Sequence, residues 1–315
     1  YGNDKNLLIG TENFSKLITT EIDVIILAIA GLSPLNIIFD IAKSGKILGL
    51  ANKECIISLG PRLISLAKRH KTKIVPLDSE HNSIYRLLES NNKKFKSITI
   101  TASGGPFFNK KSSLLRNVTP KQAIKHPIWK MGKKISVDSA TMMNKALEII
   151  EAKYLFNLTN DQINAVIHPE SIIHAAINYY DNTSISILNE PDMKIPISYL
   201  LSYNDKINKL ENIFDQLDKK SLTFYKINQK KFPAIKLAYK VLELGGLAPH
   251  IFNYNNEVLV DKFLQNKIKF TDIVRLNKIT LQKFFKYNKN IFYPNLKDIH
   301  NCNIWINKNI FLDKI

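Results

Sequence analysis

Residues 23–54 read DVIILAIAGLSPLNIIFDIAKSGKILGLANKE, and their alternation decides the fold class. The apolar run from Val24 to Leu32 is far shorter than the roughly 20 residues a helix needs to cross a bilayer, so it reads as a buried strand. The following SPLNIIFDIAKSG reads as an amphipathic helix, with Ser33 as its cap and Pro34 at its first position. KILGLAN is a second strand, RLISLAKRH a helix and TKIVPLD a third strand. This βαβαβ rhythm predicts a parallel sheet with helices on its faces.

Beyond it, residues 78–202 mix helices with the strand patterns FKSITITAS, NAVIHPE and SISIL, an α+β arrangement. Residues 203–231 are rich in Lys and Asn and read as a linker. After Pro233, the segments AIKLAYKVLELGG, NEVLVDKFLQN and TDIVRLNKITLQKFFKY and one final helix predict a small C-terminal helical domain over 232–315.

Composition narrows the function classes. With 315 residues and 45% hydrophobic content, the chain is long enough to bury a substantial core. A net charge of +18 invites a nucleic-acid reading, but the lysines are scattered through every segment. The arginines, whose forked guanidinium reads base edges, are only Arg62, Arg69, Arg86, Arg116 and Arg275. A lysine-biased surface, with some attraction for anionic small molecules, accounts for the charge, and neither a nucleic-acid nor a membrane partner is expected. Cys55 and Cys302 are too few and too far apart for a disulfide framework, so a reducing compartment is expected.

Four stretches are candidates to carry chemistry. In VPLDSEH, residues 75–81, Asp78 and Glu80 project to one side while the backbone stays extended, and paired carboxylates repel unless a cation intervenes. Oxygen ligands of this kind suit Mg²⁺ or Mn²⁺; a solvated strand end, with Asp78 capping the next helix, explains the pattern as well. In HPIWKMGKKISVDSATMMNKALEIIEAKYLF, residues 126–156, Asp138 or Ser139 reads as the cap of a helix. Asn144, Lys145 and Glu148 share one face of that helix, which makes either a surface ion pair or a phosphate cradle. In TASGGPF, residues 101–107, two glycines after Ser103 permit close approach of a ligand or simply a tight turn. ANKE, residues 51–54, closes a strand at the edge where doubly wound sheets bind cofactors.

In order and wording these stretches resemble the 1-deoxy-D-xylulose-5-phosphate reductoisomerase family. The resemblance runs through GLANKE, VPLDSEHNSIY, TASGGPF, KHPIWKMGKKISVDSATMMNKALEIIEA, VIHPESIIH, PDMKIPISYLL, FPAIKLAYK and NEVLVDKFL. It implies an α/β fold with a partial Rossmann-like NADPH-binding domain over 1–77, an α+β catalytic domain over 78–202 and the C-terminal helical bundle. Asp78, Glu80 and Glu148 would bind a divalent cation, Mg²⁺, Mn²⁺ or Co²⁺. Ser103, Ser139, Asn144 and Lys145 would hold the substrate phosphate, while Ser79 and Lys53 would meet the substrate oxygens near the metal. His126, Trp129 and Met131 would belong to a flap that closes over the substrate, with His126 catalytic. Asn52, Glu54 and Gly132 would touch NADPH; His174 matches a family histidine whose role stays open. The implied reaction is a metal-assisted retro-aldol/aldol rearrangement of the phosphosugar followed by hydride transfer from NADPH. The resemblance also implies a homodimer and a cytoplasmic location, or a plastid-type organelle if a leader precedes Tyr1.

The sequence departs from the family in one large respect. The glycine-rich turn G-x-T-G-S-x-G, which cradles the cofactor pyrophosphate, occurs nowhere in the 315 residues. On this reading Tyr1 falls partway into the cofactor domain, and the chain alone should bind NADPH poorly or not at all. Smaller departures are Ile128 and Lys130 in the flap and Ala146 where the family has Gly.

Overall fold

The structure is a computed structural model that describes residues 11–91, 93–129, 131–202 and 221–310. Lys130 and most of the expected linker, 203–220, lie outside the described residues.

Strands β1 (Val24–Leu27), β2 (Ile47–Leu50) and β3 (Lys73–Pro76) form a parallel sheet in that order, with Val24 opposite Ile47 and Ile47 opposite Lys73. The crossover from β1 to β2 is not the single capped helix that the sequence pattern predicts. A 3₁₀ turn at Ser33–Asn36 precedes a short α1 (Ile38–Lys43), and Ser33 donates its hydroxyl to the Ala30 carbonyl instead of capping. Asn36 and the β-branched Ile37–Ile38 pair, weak helix formers, sit at the break.

The second crossover, α2 (Lys53–Arg69), starts well before RLISLAKRH. Pro61 suggests a helix start near residue 62, but the helix runs through it. Gly60 explains what the irregularity permits: a β-carbon there would lie 2.4 Å from the Tyr154 ring, so α2 approaches its neighbour more closely than any side chain would allow. Asn52 caps α2 by accepting from the Cys55 amide at 2.8 Å, and its amide nitrogen donates to the Ile29 and Gly31 carbonyls.

A second, mixed sheet of five strands has β4 (Ser97–Ala102) at its centre. On one side β5 (Ile163–Ile167) is parallel to β4 and β8 (Tyr225–Lys226) is antiparallel to β5. On the other, β6 (Ile173–Asn178) and β7 (Ser184–Leu188) add antiparallel strands. Helices α3 (Ser79–Ser90), α4 (Pro120–Ala123), α5 (Lys133–Ala140), α6 (Met143–Leu155) and α7 (Lys194–Leu201) surround the two sheets.

Neither Asp138 nor Ser139 is a cap, contrary to expectation. Both lie inside α5, and the break before α6 falls at Met142, whose φ of 61° puts it in the left-handed region.

Among the described residues four helices follow: α8 (Ala234–Leu244), α9 (Ala248–Leu264), α10 (Asp272–Tyr287) and α11 (Leu296–Asn309). α9 begins earlier than NEVLVDKFLQN suggests because Pro249 occupies its first turn, where a missing N–H is harmless. One apolar cluster joins the two crossover helices α1 and α2 to α6 and to the C-terminal helices, and Phe252 and Phe263 are its largest sealed side chains.

Candidate functional site

The turn after β3 builds the acidic half of the site. Asp78 holds the N-cap position of α3, yet its carboxylate caps no backbone amide. It accepts from Lys53 Nζ at 2.8 Å through Oδ2 and lies 3.1 Å from His81 Nδ1 through Oδ1. Glu80 is in the first turn of α3, so the extended backbone assumed from spacing ends at Asp78. The two carboxylates still converge, because α6 comes to meet them. Glu80 Oε1 accepts from Lys145 Nζ at 2.5 Å and Oε2 from the Ser79 hydroxyl at 2.5 Å. Glu148, fully buried, accepts from both Asn144 Nδ2 and Lys145 Nζ one turn earlier. The i,i+3 and i,i+4 spacings therefore form an interior cluster rather than a surface ion pair.

Three carboxylates face two ammonium groups and, through Asp78, the His81 ring. Burial, reinforced by Asp78 and Glu80, pushes Glu148 up to about 8 despite Lys145 and Lys53. Burial opposes the charge on Lys53 too, but Asp78 and Glu148 outweigh it and hold the ammonium well above its ordinary range. Asp78 is held well below the usual carboxylate range: burial opposes this, and Lys53 and His81 overcome it.

One oxygen from each of Asp78, Glu80 and Glu148 lies within 4.8 Å of the others, a donor set that fits a hard divalent cation. Asp78, His81 and Glu151 form a second group of the same compactness. The first group lines a cavity of about 290 Å³; His81 and Glu151 do not. Burial would lower His81, but Glu151 and Asp78 raise it to about 9, so its Nδ1 carries a proton where a metal would need a lone pair.

The same cavity gathers Lys53, Ser79, Ser103, His126, Trp129, Met131, Ser139, Asn144 and Lys145. Ser103 follows β4 into Gly104 and Gly105, whose φ values of 83° and 62° demand glycine. His126 Nδ1 accepts from the Ile128 and Trp129 amides at 3.1 and 2.9 Å, so the ring proton sits on Nε2 and is donated to Ser103 Oγ at 2.9 Å. The Ser103 hydroxyl proton is thereby directed elsewhere. His174 is the converse case. Ser79 donates to Glu80, so His174 Nδ1–H donates to Ser79 Oγ at 2.9 Å, and the buried His174 lines the cavity. Trp129 packs edge-on to this ring at 6.3 Å.

Asn52, Glu54 and Gly132 are not brought into this cavity. Asn52 spends its side chain on the α2 cap and the two carbonyls after β1, and Glu54 faces Lys134 at 3.6 Å. Gly132 is exposed, with no atom within 4 Å of a β-carbon placed there. Sequence reasoning passed over His81 and Glu151, whose signal is their i+3 offset from Asp78 and from Glu148. It also passed over the cavity-lining Ser171, whose φ is 53°, and Met193.

Comparison with known proteins places the chain beside relatives of one kind. Family models for 1-deoxy-D-xylulose 5-phosphate reductoisomerase match residues 2–60, and models of its C-terminal domains match 74–156 and 188–309. The 1-deoxy-D-xylulose 5-phosphate reductoisomerase of Wolbachia sp. subsp. Brugia malayi is 44% identical over 301 residues, which is 94% of this chain and 76% of that protein. The Zymomonas mobilis enzyme in complex with NADPH superposes with a TM-score of 0.86 at 32% identity, covering 96% of this chain and 79% of that one. A DOX-P reductoisomerase in complex with NADPH, fosmidomycin and magnesium gives 0.85 at 35% identity, with 96% and 78% covered.

Proposed function

The chain belongs to the 1-deoxy-D-xylulose 5-phosphate reductoisomerase family, and from that premise we propose that the 290 Å³ cavity is its active site. The reaction is the NADPH-dependent conversion of 1-deoxy-D-xylulose 5-phosphate to 2-C-methyl-D-erythritol 4-phosphate, a step of non-mevalonate isoprenoid precursor synthesis. The observation that carries the site assignment is the convergence of three carboxylates with the Ser103 and Ser139 hydroxyls in one cavity.

Asp78, Glu80 and Glu148 hold the divalent cation. When bound, the cation supplies Lewis acidity toward the substrate's ketone and adjacent hydroxyl oxygens, and NADPH supplies the hydride. Lys53 keeps its proton between Asp78 and Asn144 and places a fixed positive charge where negative charge develops on substrate oxygen. Ser103, Ser139, Asn144 and Lys145 bind the phosphate, an anchor remote from the reacting carbons whose binding energy orients them. Ser79 offers the hydroxyl oxygen nearest the acids. His126 orients Ser103, and Trp129 and Met131 form the wall that excludes water. Asn52, Glu54 and Gly132 belong to the cofactor side; Asn52 acts there by fixing the loop after β1.

The units 1–77, 78–202 and 232–315 are read as cofactor, catalytic and C-terminal helical parts; the expected linker 203–231 is not only a connection, because its Tyr225–Lys226 adds β8 to the mixed sheet. A homodimer is supported by the exposed Ile185 on the outer strand β7 and Ile197 and Leu201 on α7. Among the described residues no helix is long and apolar enough to cross a membrane; the cytoplasmic location is proposed from the bacterial relatives.

The test is calorimetric titration with fosmidomycin, with and without Mg²⁺. Binding should require the cation and disappear in Glu148→Gln. Cation-independent binding of equal strength would refute the site.

A further inference from the structure

α5 has only two turns and no side-chain cap at Gly132, yet it carries Ser139 into the cavity. Two contacts grip it. On one side, a β-carbon at Gly105 would lie 2.9 Å from the Ser139 carbonyl oxygen and 3.2 Å from Ala140 Cα, so the backbone of the Ser103 turn presses against the end of α5. On the other, the buried Asp138 carboxylate accepts from Asn256 Nδ2 at 2.7 Å through Oδ1 and faces Lys134 Nζ at 3.1 Å through Oδ2. Asn256 lies on α9, is completely buried, and its Oδ1 has no partner among the described residues. Lys134 also reaches Glu54 Oε1, in the first turn of α2, at 3.6 Å.

Apolar contacts between helices tolerate small rotations; a buried carboxylate does not, because losing its hydrogen bond leaves a charge unsatisfied. Asp138 and Ser139 are consecutive, so they lie about 100° apart around the helix axis. Any turn of α5 that breaks the Asn256–Asp138 bond also swings the Ser139 hydroxyl. We propose that Asn256, Asp138 and Lys134 form a positioning clamp that sets the rotation of α5 and so holds Ser139 on the substrate phosphate. None of the three lines the cavity, so the clamp acts through the residues that α5 itself presents there, Ser139 and the apolar Ile135, of which Ser139 alone carries a group that can bind phosphate. This rests on the reading of Ser139 as a phosphate ligand.

The test measures inorganic phosphate binding by ³¹P NMR and Mg²⁺ binding by calorimetry in four variants of the full chain. Asn256→Leu, which keeps the volume and removes the bond, should weaken phosphate about tenfold while Mg²⁺ affinity stays within about twofold. The exchange Asp138→Asn with Asn256→Asp keeps one amide and one carboxylate in contact and should restore phosphate affinity to within about threefold. Lys134→Met, at a partly exposed position, should weaken phosphate about threefold and keeps the test open if Asn256→Leu fails to fold. A purely structural role would lower phosphate and Mg²⁺ affinity together without rescue by the exchange, and that result overturns the clamp. Ser139→Ala separates the two readings. If it weakens phosphate while Asn256→Leu and Lys134→Met do not, the clamp alone is wrong; if it leaves phosphate binding unchanged, the Ser139 assignment falls and the clamp with it.

Discussion

Glu148 in the catalytic cavity and His250 among the C-terminal helices are both sealed from solvent, and burial works against charge in each. Their surroundings resolve the conflict differently. His250 sits between α2, α9 and α11 with only neutral partners: it accepts from Ser58 Oγ at 2.9 Å and donates to Asn303 Oδ1 at 2.7 Å, and burial lowers it to about 4. It stays neutral and simply ties helices together. Glu148 lies beside a cavity among Asp78, Glu80, Lys53 and Lys145, and burial together with the two acids keeps its proton on. His250 is neutral with its partners already in place, whereas Glu148 is a neutral carboxyl that an incoming cation would deprotonate.

The sharpest way to break that contrast is Glu148→Gln. It should weaken Mn²⁺ binding by at least about a hundredfold and abolish metal-dependent turnover, because the amide supplies no charge to the ion. Its melting temperature should stay near that of the unaltered protein, since a carboxyl already protonated near neutrality loses little on becoming an amide. Wild-type-like activity would dissolve the distinction.

His250 supplies the next effect, with the opposite readout. Its folded pKa of about 4 is below the ordinary 6.5, so the unfolded chain takes up the proton first as pH falls. Stability from this group is therefore complete above about pH 6.5 and is lost progressively toward pH 4, by about 3 kcal/mol. Denaturant unfolding at pH 7 and pH 4.5 should show the loss, and His250→Gln should flatten it. An unchanged slope would mean that His250 is not held neutral.

A smaller effect sharpens the comparison from the cavity side. With Glu148 near 8, cation binding at pH 7 must displace a proton. Mn²⁺ affinity should rise by up to about tenfold per pH unit below 8, and calorimetry in buffers of different ionisation enthalpy should show proton release. Affinity independent of pH across this range would contradict the raised carboxyl.

Legibility in the sequence followed the same divide. The three-stranded parallel sheet was readable because its strands are short apolar runs between helical patterns, and every expected metal and substrate residue lines the cavity because the motifs are local. The extent of α2 was not readable, since Pro61 looks like a boundary until Tyr154 is seen against Gly60. Asp138 resembled a cap because aspartate before an apolar period usually is one; its partners, Asn256 and Lys134, include one more than a hundred residues away. His81 hid in plain view beside Glu80, because a buried histidine bridging Asp78 and the Glu148 carbonyl depends on how α3 meets α6. On the cofactor side, nothing in ANKE announces that the Asn52 side chain caps α2 and holds two carbonyls after β1, because those partners are set by how β1 ends beside α2.

Among the described residues two compact groups offer ligand atoms for a cation, and they share Asp78. The measurement that bears most directly on the account is anomalous diffraction from crystals soaked in Mn²⁺. One peak bounded by Asp78, Glu80 and Glu148 is the predicted result; a peak between Asp78, His81 and Glu151, or none at either group, would contradict it.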